Sequence, residues 1–330
     1  INVKLKTASD YSKLQAVASQ YNCEIVEQNE FMPLWYSLRV PNTSSINPVE
    51  VANAIYETGN FESSFPSFSM DALEISYDPD VYKQWGLYNS KYDGYDINIS
   101  KAWNYATGRG IKIAIVDEGI ELTHQDLAAN IYPLSYDAVT NSSPSIVYGD
   151  HATHCAGIAA AVRNNGLQIA GVAPDAKLMS VSINFDSSNF MKETSNALMW
   201  AWKNGADVIS CSWTCPRNDL IMEAIDSAVT KGREGKGCVL VKSAGNSSGS
   251  ITFPGNYKPS VLAVANMTVD GSLFYSSCYG SNMFITAPGT NILSTIPNNA
   301  TAYKSGTSMA APHVAGVAAL ILERNPKLSA

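Results

Sequence analysis

Short apolar runs with little polar alternation recur along the chain from about residue 78 onward. Strands that are buried on both faces show this pattern, and we expect them at IKIAIVD, KLMSVSI, ADVISCSW, CVLVKSAG and VLAVA. Between these runs the sequence predicts helices over residues 151–162, 193–204, 219–231 and 307–324. Strands that alternate with helices in this way predict an α/β fold with a doubly wound, largely parallel sheet.

The first 76 residues follow a different pattern. NVKLK, CEIVEQ and LWYSLRV predict strands, and FESSFPSF predicts a closing extended segment. One helix is predicted from about Asp10, with an apolar face formed by Tyr11, Leu14, Val17 and Tyr21. A second helix is predicted after Asn47, with Pro48 at its first position and Gly59 just past its end. The order β-α-β-β-α-β predicts a small α+β, ferredoxin-like domain.

The change of pattern divides the chain into two predicted domains, residues 1–76 and residues 77–330. We expect their junction between Phe68 and Asp80. A chain of 330 residues is long enough to bury two hydrophobic cores.

The composition excludes several classes of function. A formal net charge of -7 with only 22 basic residues provides no basic surface for a nucleic-acid backbone. No run of about 18 or more apolar residues occurs, so no transmembrane helix is expected. The six cysteines are scattered and lack a zinc-binding CxxC spacing, and we expect most of them to be unpaired. The first residue, Ile1, is not a methionine, which favours an upstream signal segment and a secreted or extracytoplasmic protein.

Three polar residues lie at the carboxyl end of a predicted strand or at the start of a predicted helix. Active sites of parallel sheets usually lie at that edge of the sheet. Asp117 ends IKIAIVD, His151 opens a predicted helix in DHATHCAG, and Ser308 opens the last one in SGTSMAAPHVAG. An acid, an imidazole and a hydroxyl are the parts of a nucleophilic relay, in which the imidazole takes the serine proton. The pair His151 and His154 lacks the HExxH spacing and the glutamate of a zinc hydrolase, which argues against a metal-dependent reaction.

Four blocks of sequence carry a family resemblance: AIVDEGIELTHQDL, DHATHCAGIAA, SAGNSS and GTSMAAPHVAG. Over about residues 78–324 the chain resembles the subtilisin-like serine proteases, the subtilases. The resemblance implies a serine endopeptidase in which Ser308 is the nucleophile that forms an acyl-enzyme, His151 is the general base and then acid, and Asp117 orients the imidazole. It also implies an oxyanion hole made by the side-chain amide of Asn246 and the backbone amide of Ser308.

The resemblance further implies that two segments form the walls of the substrate pocket. We call residues 211–216 (CSWTCP) the first wall and residues 243–246 (SAGN) the second wall. An extended peptide substrate would add as a strand along the first wall. The substrate-binding residues expected on the two walls are Ser212, Trp213, Thr214, Ser243, Ala244 and Gly245. Thr214 and Cys215 stand where the family usually has glycine, so their side chains are expected to narrow the pocket.

The family also binds calcium, although its chemistry requires no cofactor. Asp126 matches a family ligand. RNNGLQIAG at residues 163–171 resembles the loop that completes the site, with Asn165 as the expected side-chain ligand. Oxygen-rich loops suit calcium, and the alternative is an ordinary polar turn.

Several residues beside the expected catalytic groups affect the site. Ala152 replaces the glycine that usually follows His151, and its methyl group is expected to crowd the cleft. Glu118 and Asp150 place two further acids near the imidazole, which should raise its pKa. Pro312 is expected to be tolerated because it lies in the first turn of the last helix.

The first 76 residues resemble a subtilase propeptide, which assists folding and then lies with its C-terminal tail in the active-site cleft. We therefore expect a secreted serine endopeptidase that acts on protein or peptide substrates and is carried as a proprotein or propeptide complex. Family members usually continue beyond the last helix, so the catalytic domain is expected to be truncated at Ala330. The alternative is a catalytically silenced, subtilase-like binding module, because Ala152, Thr214 and Cys215 are all expected to border the cleft.

Overall fold

A computed structural model describes residues 1–41, 47–67 and 76–330. These residues belong to two units, Ile1–Ala72 and Leu73–Ala330, each with its own hydrophobic core. The junction expected between Phe68 and Asp80 falls largely outside the described residues.

The first unit is a small α+β fold. Its strands and helices are β1 (Asn2–Leu5), α1 (Tyr11–Gln20), β2 (Glu24–Gln28), β3 (Trp35–Arg39), α2 (Pro48–Glu57) and β4 (Phe61–Phe65). In this part of the described chain, the four strands form one antiparallel sheet in the order β2-β3-β1-β4. Leu14 of α1 and Ile55 of α2 are fully buried together with Val3 and Leu5 of β1. The observed order of elements is the β-α-β-β-α-β order that the sequence predicts.

The start of α2 shows why the sequence forms a helix there. The Oδ1 atom of Asn47 accepts hydrogen bonds from the backbone N–H groups of Val49 and Glu50, both at 2.9 Å. The Glu50 carboxylate in turn accepts from the N–H of Asn47 at 3.2 Å. Pro48 occupies the first helical position, where an N–H group would have no partner within the helix. These contacts satisfy N–H groups that the helix itself leaves without acceptors.

The second unit is built on a parallel sheet. Its strands are β5 (Lys112–Asp117), β6 (Tyr136–Asp137), β7 (Lys177–Ser182), β8 (Val208–Cys211), β9 (Val239–Ser243), β10 (Val261–Met267), β11 (Met283–Pro288), β12 (Ile292–Ile296) and β13 (Ala300–Lys304). Its helices are α3 (Ile99–Ala102), α4 (His151–Ala160), α5 (Phe190–Lys203), α6 (Asp219–Gly235) and α7 (Thr307–Arg324). Within the described residues, seven of these strands form one sheet in the order β11-β10-β9-β8-β5-β7-β6, with each neighbouring pair parallel. Strands β12 and β13 form a separate antiparallel pair.

Helices cover both faces of the parallel sheet, which confirms the doubly wound α/β fold. Along β5, Ile113 and Ile115 pack into the core formed with α4 and α7, whereas Ala114 and Val116 pack into the core formed with α5 and α6. This strand is therefore buried on both sides, as its unbroken apolar run predicts. No helix in the described part of the chain is both long enough and apolar enough to cross a membrane.

Helix α7 packs closely in the core and needs small side chains to do so. Ala310, Ala311 and Ala315 are fully buried. A Cβ atom at Gly316 would lie 2.5 Å from the Cβ atom of Val172, which is closer than two carbon atoms approach without a shift of the backbone. Small residues on this face therefore set how deeply the helix, and with it Ser308, can lie in the unit.

Pro312 does not lie in the first turn of α7, contrary to the expectation from sequence. The helix begins at Thr307, so Pro312 is its sixth residue and lacks the N–H that would bond to the carbonyl oxygen of Ser308. That oxygen accepts two other hydrogen bonds, from Ser212 Oγ at 3.0 Å and from Cys155 Sγ at 3.4 Å. The proline therefore leaves the Ser308 carbonyl group free to connect α7 to the first wall and to α4.

Replacing Asn47 by alanine is expected to lower the free energy of unfolding of α2 by about 1 kcal/mol, because the first N–H groups of the helix lose their acceptor. Hydrogen exchange of the α2 amides in the full chain measures this change. Asn47→Asp is the matched control, since its carboxylate keeps the acceptor and faces the positive end of the helix. Equal protection of α2 in Asn47→Ala and in the unchanged chain would contradict the expectation.

Candidate active site

Asp117 and His151 are in contact at the carboxyl end of the parallel sheet. Asp117 is the last residue of β5, which lies between β7 and β8, and it is fully buried. His151 begins α4, and its Nδ1 atom lies 2.9 Å from Oδ1 and 3.0 Å from Oδ2 of Asp117. An ionised carboxylate can only accept hydrogen bonds, so Nδ1 carries the proton. In the neutral imidazole, Nε2 is then the basic atom.

The surroundings of His151 favour its charged form. Burial lowers the pKa of this imidazole, but the Asp117 carboxylate and the Cys155 sulfur raise it by more, so the pKa lies well above its ordinary value. The Cys155 Sγ atom is 4.0 Å from Nδ1. A proton on this ring is therefore held more tightly than on a histidine in water.

Three other neighbours affect the imidazole less than the sequence indicates. Asp150 forms an ion pair with Lys304 at 2.6 Å, so much of its charge is balanced elsewhere. Burial, followed by the effect of a neighbouring carboxylate, raises the pKa of Glu118, which opposes ionisation of that side chain. Ala152 is fully buried in the core that α4 shares with α7. Its methyl group is therefore core packing and does not crowd the cleft, contrary to the expectation from sequence.

Ser308 is the second residue of α7 and is connected to both the first wall and α4. Its hydroxyl group donates to the carbonyl oxygen of Ser212 at 3.1 Å, and within the described residues it makes no hydrogen bond to His151. Its carbonyl oxygen accepts from Cys155 Sγ, the same sulfur that lies 4.0 Å from Nδ1 of His151. The Cys155 sulfur is thus close to both the His151 ring and the backbone of Ser308.

His154 does not share a metal site with His151. It is fully buried, and its Nε2 atom lies 3.0 Å from the carbonyl oxygen of Ala302. Burial lowers the pKa of His154 to about 4. Among the residues described, the group that brings three potential metal ligands within 4.8 Å of one another consists of Asp117, His151 and Cys155. The second histidine is therefore a structural residue, and the histidine pair does not form a zinc-hydrolase site.

Asn246 follows β9 and is oriented by the first residue of α7. Its Oδ1 atom accepts from the backbone N–H of Thr307 at 2.9 Å and from the Thr307 hydroxyl at 3.0 Å. These two donors fix which end of the amide is oxygen, and Nδ2 has no acceptor among the described residues. The N–H of Ser308 lies in the first turn of α7, where the helix provides no acceptor. Two free donors, Nδ2 of Asn246 and the N–H of Ser308, are therefore available at the positive end of this helix.

Most of the residues expected on the two walls are buried. The buried ones are Ser212, Trp213, Ser243, Ala244 and Gly245. Thr214 is exposed and Cys215 is half-buried, so these two residues present side chains where the family usually has glycine. Gly245 has a φ of +112°, a left-handed conformation that favours glycine.

A cavity of about 330 Å³ borders the first wall. Its lining residues are Phe185, Phe190, Met191, Trp213, Thr214, Cys215 and Pro216. The rings of Phe190 and Trp213 meet edge to face at 5.9 Å, and the ring of Phe185 lies 6.1 Å from that of His151. A lining of this composition suits an apolar side chain. Sequence reasoning missed Phe185, Phe190 and Met191, for which the available signal was the cluster of apolar residues in the polar segment NFDSSNFMK.

Asp126 and Asn165, the residues expected to bind calcium, lie in contact. The buried Asp126 carboxylate accepts from Asn165 Nδ2 at 2.7 Å and from the N–H of Ile169 at 3.0 Å. Burial raises the pKa of Asp126 to about 6, two hydrogen bonds oppose the rise, and the charge of Asp78 adds to it. The Oδ1 atom of Asn165 accepts from the N–H of Leu167 at 2.8 Å. Neighbouring carboxylates and a side-chain amide are oxygen ligands of the kind that calcium takes, so these residues fit the ion chemically.

Known serine proteases are similar to this chain along much of its length. The model of the subtilase family matches residues 108–330, which include Asp117, His151 and Ser308. The thermophilic serine proteinase of a Bacillus species is 35% identical over 277 residues, covering 81% of this chain and 68% of the relative. The calcium-dependent protease of Trichormus variabilis is 30% identical over 377 residues, covering 99% of this chain and 56% of the relative.

A solved structure leads to the same family. A protease from Pseudoalteromonas arctica superposes with a TM-score of 0.68 and 32% sequence identity, over 77% of this chain and 89% of the other. Its fold agrees with the parallel sheet described above, and the family match includes the residues that meet at the carboxyl end of that sheet. The chain therefore belongs to the subtilase family of serine endopeptidases.

Proposed function

We propose that the chain hydrolyses peptide bonds with Asp117, His151 and Ser308 as a catalytic triad, through an acyl-enzyme. The observation that carries this proposal is the pair of contacts between Nδ1 of His151 and the buried Asp117 carboxylate, at 2.9 and 3.0 Å. These contacts leave Nε2 of the neutral imidazole as the base that a serine nucleophile requires. Membership of the subtilase family supports the same interpretation.

The proposed reaction begins when the Ser308 hydroxyl turns from the carbonyl oxygen of Ser212 to His151. As Oγ attacks the carbonyl carbon of the substrate, its proton passes to Nε2, and the Asp117 carboxylate stabilises the imidazolium. The substrate oxygen becomes negatively charged and accepts hydrogen bonds from Nδ2 of Asn246 and the N–H of Ser308. The C–N bond then breaks, His151 returns the proton to the leaving amine, and an ester remains on Ser308. Water repeats the sequence and releases the acid.

A catalytically silenced binding module is the second candidate function. It is favoured by the side chains of Thr214 and Cys215, which line the cavity at the first wall where the family usually has glycine. Ala152 no longer supports it, because that residue is buried in the core. The contact between Asp117 and His151 and the free donors at Asn246 and Ser308 favour the protease.

We further propose that residues 1–76 act as a propeptide that occupies the chain's own active-site cleft until the junction is cut. The β-α-β-β-α-β fold of this part supports the proposal. So does the relative from Trichormus variabilis, whose similarity extends over 99% of the chain. Such a latent form suits a protease that is secreted and matures outside the cytoplasm, where it meets protein or peptide substrates.

We also propose a structural calcium ion held by Asp126 and Asn165, with Asp78 close by. The buried, mutually repelling carboxylates support it, because a cation would offset both burial and repulsion. The ion would stabilise the fold and take no part in the chemistry.

Treatment with a fluorophosphonate, followed by peptide mass spectrometry, is expected to give an adduct on Ser308, since the reagent labels an activated serine. Ser308→Ala should remove the adduct, whereas Ser272→Ala, at an exposed serine, should leave it unchanged. If the propeptide proposal holds, labelling should increase when the junction between Phe68 and Asp80 is cut. A chain that stays unlabelled after this cut would contradict the protease and favour the binding module.

The kcat/KM for an uncharged peptide is expected to rise with pH through the raised pKa of His151, because Nε2 must be unprotonated to accept the serine proton. The rise should therefore be centred above the ordinary pKa of an imidazole. Cys155→Ala should move the midpoint to lower pH, since it removes a group that raises this pKa. Glu118→Gln is the matched control, with a smaller shift. A midpoint that is unchanged in Cys155→Ala would contradict the effect of Cys155 on the pKa of His151.

Removing calcium with a chelator is expected to lower the Tm by roughly 5 °C or more at about pH 7.5, and by less at about pH 5. The pKa of Asp126 is raised in the folded state, so without a cation its ionisation reduces stability as pH rises from about 4 to about 6. Asp126→Asn should abolish the response to the chelator, and Asp186→Asn, at an exposed carboxylate, should keep it. Scanning calorimetry measures both, and equal Tm values with and without chelator at pH 7.5 would count against the site.

A further inference from the structure

Lys242 is a fully buried lysine on β9, next to the second wall. Within the described residues it forms no ion pair with a carboxylate. Its Nζ atom donates to the hydroxyl of Ser243 at 2.8 Å and to the carbonyl oxygen of Ser243 at 3.1 Å. Burying an ammonium group with neutral acceptors alone is unfavourable for folding, so this residue requires an explanation other than core stability.

The contacts of Lys242 join the two walls of the proposed substrate pocket from their buried side. Ser243 belongs to the second wall. On the first wall, the Trp213 ring lies 5.3 Å from Nζ, within the range of a cation–π contact. The strands that carry the two walls are neighbours, with Cys211 of β8 opposite Lys242 of β9. One side chain thus contacts both walls without being exposed in the pocket.

The Trp213 ring is the element through which Lys242 can reach a substrate. Trp213 lines the cavity of about 330 Å³, of which Lys242 is not a lining residue. The indole N–H donates to the carbonyl oxygen of Val116 at 2.9 Å, which fixes one edge of the ring beside Asp117. The ammonium group contacts the ring and the second wall together.

We infer that Lys242 is a positioning residue for substrate binding, whose ammonium group holds Trp213 and Ser243 in the arrangement that accepts an apolar substrate side chain in the cavity. The inference rests on the proposed function, because it assigns a specificity role within the same site. It does not make Lys242 a catalytic residue, since its amine touches neither His151 nor Ser308 in the described structure.

The charge of Lys242 changes in the mildly alkaline range. The titratable groups that face it are Cys211 and Cys215 of the first wall and Asp117 of β5. Burial lowers the pKa of Lys242 to about 8, and the negative charge of Asp117 acts in the opposite direction. Burial also raises the pKa of Cys211 to about 12 and that of Cys215 to about 11, so both remain neutral thiols near pH 8. The ammonium form, and with it the cation–π contact, is therefore lost as the pH rises through about 8.

Steady-state kinetics on the full chain, after maturation and with active sites titrated by fluorophosphonate, tests this role. The variants are Lys242→Met, which keeps the length and removes the charge, and Lys242→Arg, which keeps the charge. Lys203→Met, at an exposed lysine of α5, is the control. The substrates are peptides that carry either phenylalanine or alanine at each position before the scissile bond in turn.

We expect Lys242→Met to raise KM about tenfold for the phenylalanine peptide that fills the cavity, with kcat changed less than about threefold. KM for the matching alanine peptide should change less than about twofold, and Lys242→Arg should restore part of the preference for phenylalanine. Lys203→Met should behave as the unchanged chain. Equal effects on both peptides, or a fall in kcat at constant KM, would overturn the inference. Absence of hydrolysis by the unchanged chain would instead overturn the proposed function.

A second measurement covers the case in which Lys242→Met does not fold. The dissociation constant of an uncharged phenylalanine peptide for Ser308→Ala is measured from about pH 6.5 to about pH 9.5. Binding that weakens about tenfold with a midpoint near 8, and only for the phenylalanine peptide, supports the role of Lys242. Binding that is independent of pH overturns it.

Discussion

The site depends on how the first turns of α7 are bonded. Because Pro312 has no N–H, the carbonyl oxygen of Ser308 accepts from Ser212 and Cys155 and not from the helix itself. One residue earlier, Thr307 donates to Asn246. The bonds that complete the start of this helix are thus the bonds that assemble the first wall, the second wall and α4 around it. Packing of the core therefore also determines the geometry of the site, because small side chains along α7 decide where the start of that helix can lie.

Asp117 has an influence beyond its contact with His151. It is fully buried at the carboxyl end of β5, where the effective dielectric constant is low and charges act over longer distances. The carboxylate raises the pKa of the imidazole that it contacts and also that of Lys242, which lies behind the walls. A single negative charge therefore favours the protonated forms of two basic groups with different roles. In the proposed enzyme those roles oppose each other, because the imidazole works when neutral and the lysine when charged.

The sequence alone was sufficient for much of the fold. Buried strands such as IKIAIVD have no polar face, and the helix predicted at residues 307–324 has the bounds of α7. Strand β11 was missed, because its residues Phe284 and Ile285 are exposed and its pattern resembles neither a buried strand nor an alternating one. Helix α6 extends to Gly235, but its backbone departs from helical φ and ψ angles at Gly232, close to the predicted end at residue 231.

The features of the site that could not be predicted from the sequence all depend on contacts between residues that are distant along the chain. The motif SGTSMAAPHVAG does not show that the Ser308 hydroxyl donates to the carbonyl oxygen of Ser212, because that bond depends on the position of β8 beside α7. The cavity between Phe185, Phe190 and the first wall likewise exists only once β7 and β8 are placed in the sheet. Lys242 is a further case, since a lysine in a strand motif is ordinarily expected at the surface. Motifs indicate candidate groups for a reaction, while the folded chain determines what each group contacts.

The way Asn246 is held has a consequence for the lifetime of the protein. It is an exposed asparagine followed by serine, and hydrolysis of its amide would leave a carboxylate. That carboxylate could still accept from Thr307 at the start of α7, where a negative charge is favourable. It could not donate to a substrate oxygen. An aged molecule would therefore stay folded while losing the proposed oxyanion donor, so retention of structure during storage would not measure retention of activity.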